Sequence, residues 1–303
     1  MEFLYLLESI RTPALDGFFS VITHLGSEIV FMALAVIMFW CVDKSQGLYL
    51  LSVGCLGTTI NQALKITCRI PRPWVQDPNF TIVESARAEA TGYSFPSGHT
   101  QSACGVFGCL ARDAKRHWLS AVYVILALLV SLSRMYLGVH TPLDVGVSIV
   151  IATVLVFVMH PFFRDLEQKP GKAIRILLVL VAVNVVFLIY ASCWPFPADA
   201  DPEQLAHGVS NAAKLTGALA GMAIGCWIDE KKTRFSPKAT VLGQICKIVL
   251  GLALVMAIKE GLKPLLGSGI WSGVIRYGLI TVFAAGIWPM TFPMFAKLGR
   301  KKA

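Results

Sequence analysis

Three short strings place chemistry-bearing residues in order along this chain. "KITCRIPRP" begins at Lys65 and reaches Arg72–Pro73 after six residues; "PSGH" covers 96–99; "SRMYLGVHTPLD" carries Arg134, His140 and Asp144. Together they supply three cations, two histidines and a carboxylate, a set suited to a phosphate group. Pro96, Ser97 and Gly98 precede an apolar run that reads as a helix. The free N–H groups and positive dipole end of such a helix attract an anion. Gly98 lets the backbone approach it, and Ser97 adds a hydroxyl donor. Lys65, Arg72 and Arg134 would neutralise phosphate oxygens, the arginines with bidentate geometry. His140 and Asp144 are spaced i, i+4, so they share one helix face. A carboxylate there can take the Nδ1 proton and leave Nε2 free to attack phosphorus. His99 then stands as the proton donor to the leaving oxygen.

Singly, each signal has a plainer reading. Lys65 and Arg72 could be interfacial cations, "PSGH" a helix start, and His140 with Asp144 a structural hydrogen bond. Ser133 reads as a helix-facing hydroxyl, and His24, His117, His160 and His207 as isolated span-end residues. Joint occurrence, in order and at one membrane face, is what points to a phosphate site.

The elements that must position these residues are membrane helices. Of 303 residues, 55% are hydrophobic and 15% charged, against about 25% charged in a soluble domain. The apolar runs are continuous rather than alternating, which argues for helices over a β-barrel. The expected fold is all-α, a polytopic transmembrane bundle. An interfacial amphipathic segment over 1–25 is followed by about nine spans, near 27–42, 47–65, 97–112, 118–138, 141–162, 176–194, 208–228, 239–259 and 272–296. The formal charge of +9 resides mostly in short loops and at the tail "KLGRKKA". It reads as cytoplasmic anchoring rather than nucleic-acid binding, and no nucleic-acid partner is expected. Seven of the eight cysteines read as small hydrophobes, and Cys68 alone falls in a polar loop with no obvious partner. An odd span number then puts the N-terminus outside and the C-terminus in the cytoplasm, with the three strings at the outer face. The outer loop 66–96 breaks the charge pattern with Arg69, Arg72 and Arg87. Trp74 and Phe80 are expected to roof the site.

"FRDLEQKPGKAIR" (163–175) divides the chain. The expected domains are 1–25, a phosphatase core over 26–165, and a four-span extension over 166–303. In the extension Gly217, Gly221 and Gly225 recur at every fourth position, a face for close helix packing. Lys214, Lys247, Lys259, Glu260 and Arg276 lie near its span edges, where snorkelling to the interface accounts for most of them.

All three strings match the signature of the type 2 phosphatidic acid phosphatase superfamily: Lys, six residues, Arg-Pro; Pro-Ser-Gly-His; Ser-Arg, five residues, His, three residues, Asp. The resemblance covers roughly residues 47–160. It implies that His140 is a nucleophile forming a phosphohistidine, Asp144 its orienting carboxylate, and His99 the acid that later activates water. Lys65, Arg72, Ser97, Gly98 and Arg134 become the phosphate cradle. No metal or other cofactor is called for. The expected activity is hydrolysis of a lipid phosphomonoester or diphosphate by an integral membrane enzyme, in a bacterial plasma membrane with the site facing outward. Alternatives are a glucose-6-phosphatase-like sugar-phosphate phosphatase, a lipid phosphotransferase and a lipid-phosphate transporter.

Overall fold

A computed structural model describes residues 1–166, 168–198 and 200–299; Arg300, Lys301 and Lys302 of the basic tail lie outside the described residues. Every regular element among the described residues is helical. Two short amphipathic helices come first, α1 (Glu2–Ser9) and α2 (Pro13–Thr23). Then follow α3 (Glu28–Ile37, running into a π turn Met38–Val42), α4 (Lys44–Cys68), the short α5 (Pro73–Gln76), α6 (Gly98–Asp113), α7 (His117–Tyr136) and α8 (Pro142–Phe163). The remainder is α9 (Lys172–Cys193), α10 (Pro202–Ile228), α11 (Val241–Leu266), α12 (Ile270–Val282) and α13 (Phe292–Lys297). A π turn and a 3-10 turn join the last two. Pro289 lies there and Pro293 in the first turn of α13, and a proline cannot donate into a helix ladder.

A helix lies over each of the nine expected runs. Among the described residues, five elements are long and apolar enough to cross a bilayer: α7, α8, α9, α11 and Ile270–Lys297. A sixth is reached if Pro13–Gly26 and Glu28–Val42, bent by 50°, form one broken span. Helices α4, α6 and α10 fall outside that set. With 16 residues, α6 spans only about 24 Å of a roughly 30 Å hydrocarbon layer. Helix α4 is long enough, but Thr58, Asn61, Gln62 and Lys65 make one side of it polar.

The chain folds as two compact units. The first comprises Met1–Ala33, Val53–Pro161 and Pro195–Gly208; the second comprises Leu34–Ser52, Phe162–Trp194 and Val209–Ala303. In the first, α7 packs on α6 and on α1 and α2. Phe19, Ala86, Tyr136, Leu137 and Val139 form a small core under the end of α7, with Trp74 against it. The N-terminal helices brace this end: Tyr136 donates to Asp16 at 2.8 Å, and Arg11 Nε donates to the Tyr136 carbonyl at 3.1 Å. At Gly138 the chain leaves α7 with φ of +80°, a conformation costly for any residue with a Cβ. The N–H groups of Val139 and His140 then both turn back to the Arg134 carbonyl.

In the second unit α11 packs against α12 and α13. The glycines of α10 are used inside this unit. A Cβ at Gly217 would lie 2.1 Å from the Val274 carbonyl oxygen, and one at Gly221 would lie 2.2 Å from that of Gly278. Lys247 is fully buried, donating to the carbonyls of Trp40 (3.0 Å) and Pro237 (2.8 Å) with its ammonium over the Phe292 ring. It does not snorkel to an interface as expected.

Candidate active site

The first unit encloses a cavity of about 200 Å³. Its wall includes Lys65, Arg72, Gly98, His99, Arg134 and His140, drawn from all three sequence strings. Their arrival at one place follows from local structure. Lys65 ends α4, Arg72 precedes α5, His99 opens α6, Arg134 ends α7 and His140 stands just before α8.

His140 and Asp144 are 2% and 1% exposed, so their partners are fixed by the protein rather than by bulk water. The Arg72 guanidinium lies 3.0 Å from His140 Nε2. A guanidinium can only donate, so Nε2 is the acceptor and the ring proton sits on Nδ1. Nδ1 faces Asp144 Oδ2 at 3.4 Å and Ser94 Oγ at 3.4 Å. The same Oδ2 accepts from Ser94 Oγ (2.5 Å) and from the Thr141 N–H (2.8 Å). Asp144 is thus aimed from behind, and it orients the ring without lining the cavity. Burial, followed by the charges of Arg72, Arg134, Lys65 and His99, pushes the His140 imidazole well below the usual histidine range. These surroundings favour the neutral ring at ordinary pH.

The cations differ in how their donors are used. Arg72 donates to the carbonyls of Gly92, Thr91 and Val139 at 2.8–2.9 Å as well as to His140. Burial draws its pKa down to about 10, offset by Asp144, so it remains charged. Lys65 donates to the Tyr93 carbonyl at 2.8 Å. Arg134 donates through one terminal nitrogen to Thr23 at 2.7 Å, while its buried Nε makes no hydrogen bond. Asn61 Nδ2 and both side-chain polar atoms of Gln101 are buried without hydrogen bonds beside the same cavity. Buried polar groups without partners are rare in folded proteins, and their clustering here marks a place prepared for a polar ligand.

Ser97 departs from the donor role expected of it. It is fully buried, its Oγ caps α6 by accepting from Thr100 N–H, and its backbone ties α6 to α8 through the Asp144 carbonyl and Ser148. It is not among the cavity-lining residues. Gly98 is, and a Cβ there would meet only Asn61 Oδ1 at 3.9 Å, so packing alone does not require glycine. Trp74 and Phe80 do not line the cavity. Phe80 is buried against Tyr5, and Arg87 pairs with Glu84 at 2.7 Å, away from the site.

Sequence reasoning missed several wall residues. Thr58, Asn61, Gln62 and Lys65 lie three and four apart along α4, and Gly98, Gln101 and Ser102 repeat that spacing on α6. Such a polar stripe on a membrane helix was a readable signal. His207, set aside as isolated, also reaches the wall, as do Glu28 and Glu89.

Comparison with known proteins gives this geometry its class. The PAP2 superfamily model matches residues 46–168, and one described as PAP2 superfamily phosphatase, transmembrane extension, matches residues 213–301. Undecaprenyl-diphosphatase BcrC of Bacillus subtilis (strain 168) is 34% identical over 171 residues, covering 55% of this chain and 84% of its own. Phosphatidylglycerophosphatase B of the same organism is 32% identical over 174 residues, covering 52% and 80%. A probable sphingosine-1-phosphate phosphatase of Dictyostelium discoideum is 25% identical over 296 residues, covering 92% and 69%. The chain belongs to the PAP2 superfamily and is an integral-membrane phosphatase.

Proposed function

We propose that the chain hydrolyses a phosphomonoester or diphosphate of a lipid through a phosphohistidine on His140, without a metal ion. The observation that carries this is the His140 tautomer. Its proton is on the Asp144 side, and its lone pair is on the cavity side among Arg72, Lys65 and Arg134. Nε2 attacks phosphorus as the ester oxygen leaves. The three cations and the first-turn N–H groups of α6 stabilise charge on the phosphoryl oxygens. His99 protonates the leaving oxygen. Once neutral, it takes a proton from the water that cleaves the P–N bond, and His140 is restored. Asp144 holds the ring and Ser97 holds the helix that presents Gly98 and His99.

The lipid class is supported by size and by the relatives. A cavity of about 200 Å³ is below the roughly 300 Å³ of a pocket for a drug-sized ligand, so it takes a head group and leaves a hydrocarbon tail outside. The relatives named for lipid phosphates and diphosphates point the same way. The proposed catalytic residues all fall within 26–165, although the unit that holds them also takes in Met1–Ala33 and Pro195–Gly208 and leaves out Leu34–Ser52. All nine runs cross the membrane, with α4 and α6 sheltering their polar sides at the site. The site faces outward across a bacterial plasma membrane, with the C-terminus in the cytoplasm.

The test is phosphate release by the detergent-purified full chain, with chelator present, from a panel of lipid and sugar phosphates. His140→Ala is the control. Release that needs His140, ignores the chelator and favours lipids supports the reading. Preference for a sugar phosphate removes the lipid assignment. Release dependent on added metal removes the mechanism. No release from any substrate favours phosphotransfer or transport.

A further inference from the structure

His99 is asked to donate a proton from a place that disfavours carrying one. Arg134, Lys65 and Arg72 share its cavity and make its wall positive. Each raises the cost of an imidazolium. Something must offset that charge if His99 is an acid near neutral pH.

We propose that Glu89 is the positioning residue that keeps His99 charged, with His24 linking the pair to solvent. Glu89 belongs to the loop before α6 and lines the cavity. Its Oε2 lies 3.4 Å from His99 Nε2, a buried atom without a hydrogen bond. Its Oε1 lies 3.6 Å from Nδ1 of His24, whose side chain is 61% exposed. One carboxylate therefore stands between the interior histidine and one open to water. It stabilises the His99 imidazolium by charge. Glu89 is itself neither nucleophile nor acid. As P–N forms at His140 and P–O breaks, the His99 proton passes to the leaving oxygen, and Glu89 then faces a neutral ring. In the second half-reaction water gives its proton to His99 as its oxygen bonds to phosphorus and P–N breaks. The charged pair is re-formed. Glu28 and His207 also sit on the cavity wall and complete the titratable groups facing His99.

This rests on reading His99 as the acid, and the experiment separates the two. The kcat/KM of the full chain is measured for an alkyl phosphate and for 4-nitrophenyl phosphate, whose leaving group departs without a proton. Glu89→Gln keeps size and polarity and removes the charge. The expected result is a fall of about 10–100-fold with the alkyl phosphate, within the range of general acid catalysis, and about threefold or less with the aryl phosphate. The basic limb of the alkyl-phosphate pH profile should also move to lower pH. In a His99→Asn background, Glu89→Gln should add no further loss. Equal loss with both substrates, no loss with either, or additive losses in the double variant overturn the role of Glu89. If His140→Ala retains turnover, the phosphohistidine reading itself has failed.

Discussion

Both units bury cations, and they do so in opposite ways. In the second unit Lys247 is fully buried, and its ammonium is satisfied by two carbonyls and an aromatic face. It fastens the Trp40 and Pro237 segments to α11. In the first unit Arg134 is 1% exposed, yet its Nε makes no hydrogen bond and it lies beside a cavity with the unpartnered Asn61 Nδ2 and Gln101 amide. A buried charge surrounded by its acceptors is a fastener. A buried charge with open donors around a cavity is equipped for a ligand. Burial alone does not separate Lys247 from Arg134; the open donor beside a cavity does, and Arg72, held by three carbonyls as well as His140, stands between the two.

Substitutions can break or sharpen this contrast. His140→Ala should lower kcat/KM by at least about 10³-fold, as loss of a nucleophile does, with the thermal midpoint nearly unchanged; substantial residual turnover would remove His140 as nucleophile. Arg134→Gln should cost about 10²–10³-fold, the scale for a lost charge-stabilising donor. Lys247→Met should leave turnover per folded molecule intact and instead cost about 1–3 kcal/mol of stability through unpaired carbonyls. If Lys247→Met silenced the enzyme as Arg134→Gln does, the distinction between fastener and ligand group would collapse. Two glycines test the same idea on a smaller scale. Gly98→Ala places a methyl group beside the cavity and should reduce activity without loss of stability. Gly217→Ala meets the Val274 carbonyl and should cost about 1–3 kcal/mol by overpacking with catalysis per folded molecule preserved. The smallest expected effect is in pH. Because burial and neighbouring cations depress His140, its ring should stay unprotonated as pH falls through the ordinary histidine value of about 6.5. The acid limb of kcat/KM due to His140 should therefore lie below that value, and a His140 limb above it would contradict the described environment.

The helices and the order of the site were legible in the sequence to different depths. A helix lies over each expected run because apolar length is a local property. The meeting of the three strings at one cavity was legible because three fixed spacings rarely coincide. Less was visible where partners come from distant loops without a period. Ser94 looks like any loop serine, yet it steers Asp144; Glu89 looks like a solvated carboxylate, yet it lies beside His99. Arg72 and Arg87 sit in one loop with the same charge, and only the fold sends the former to His140 and the latter to Glu84. Lys247 was misread for a related reason: hydropathy records its charge but not the two carbonyls awaiting it.

The Arg72 contact has a consequence for chemical labelling. Its guanidinium covers the one lone pair through which His140 could react, in a ring that is 2% exposed. His24 presents a side chain that is 61% exposed. An acylating reagent should therefore mark His24 well before the nucleophile, and protection by phosphate would report on the cavity mouth rather than on the attacking nitrogen. His140 is guarded at rest by the same cation that would receive the substrate, so promiscuous electrophiles meet a closed catch.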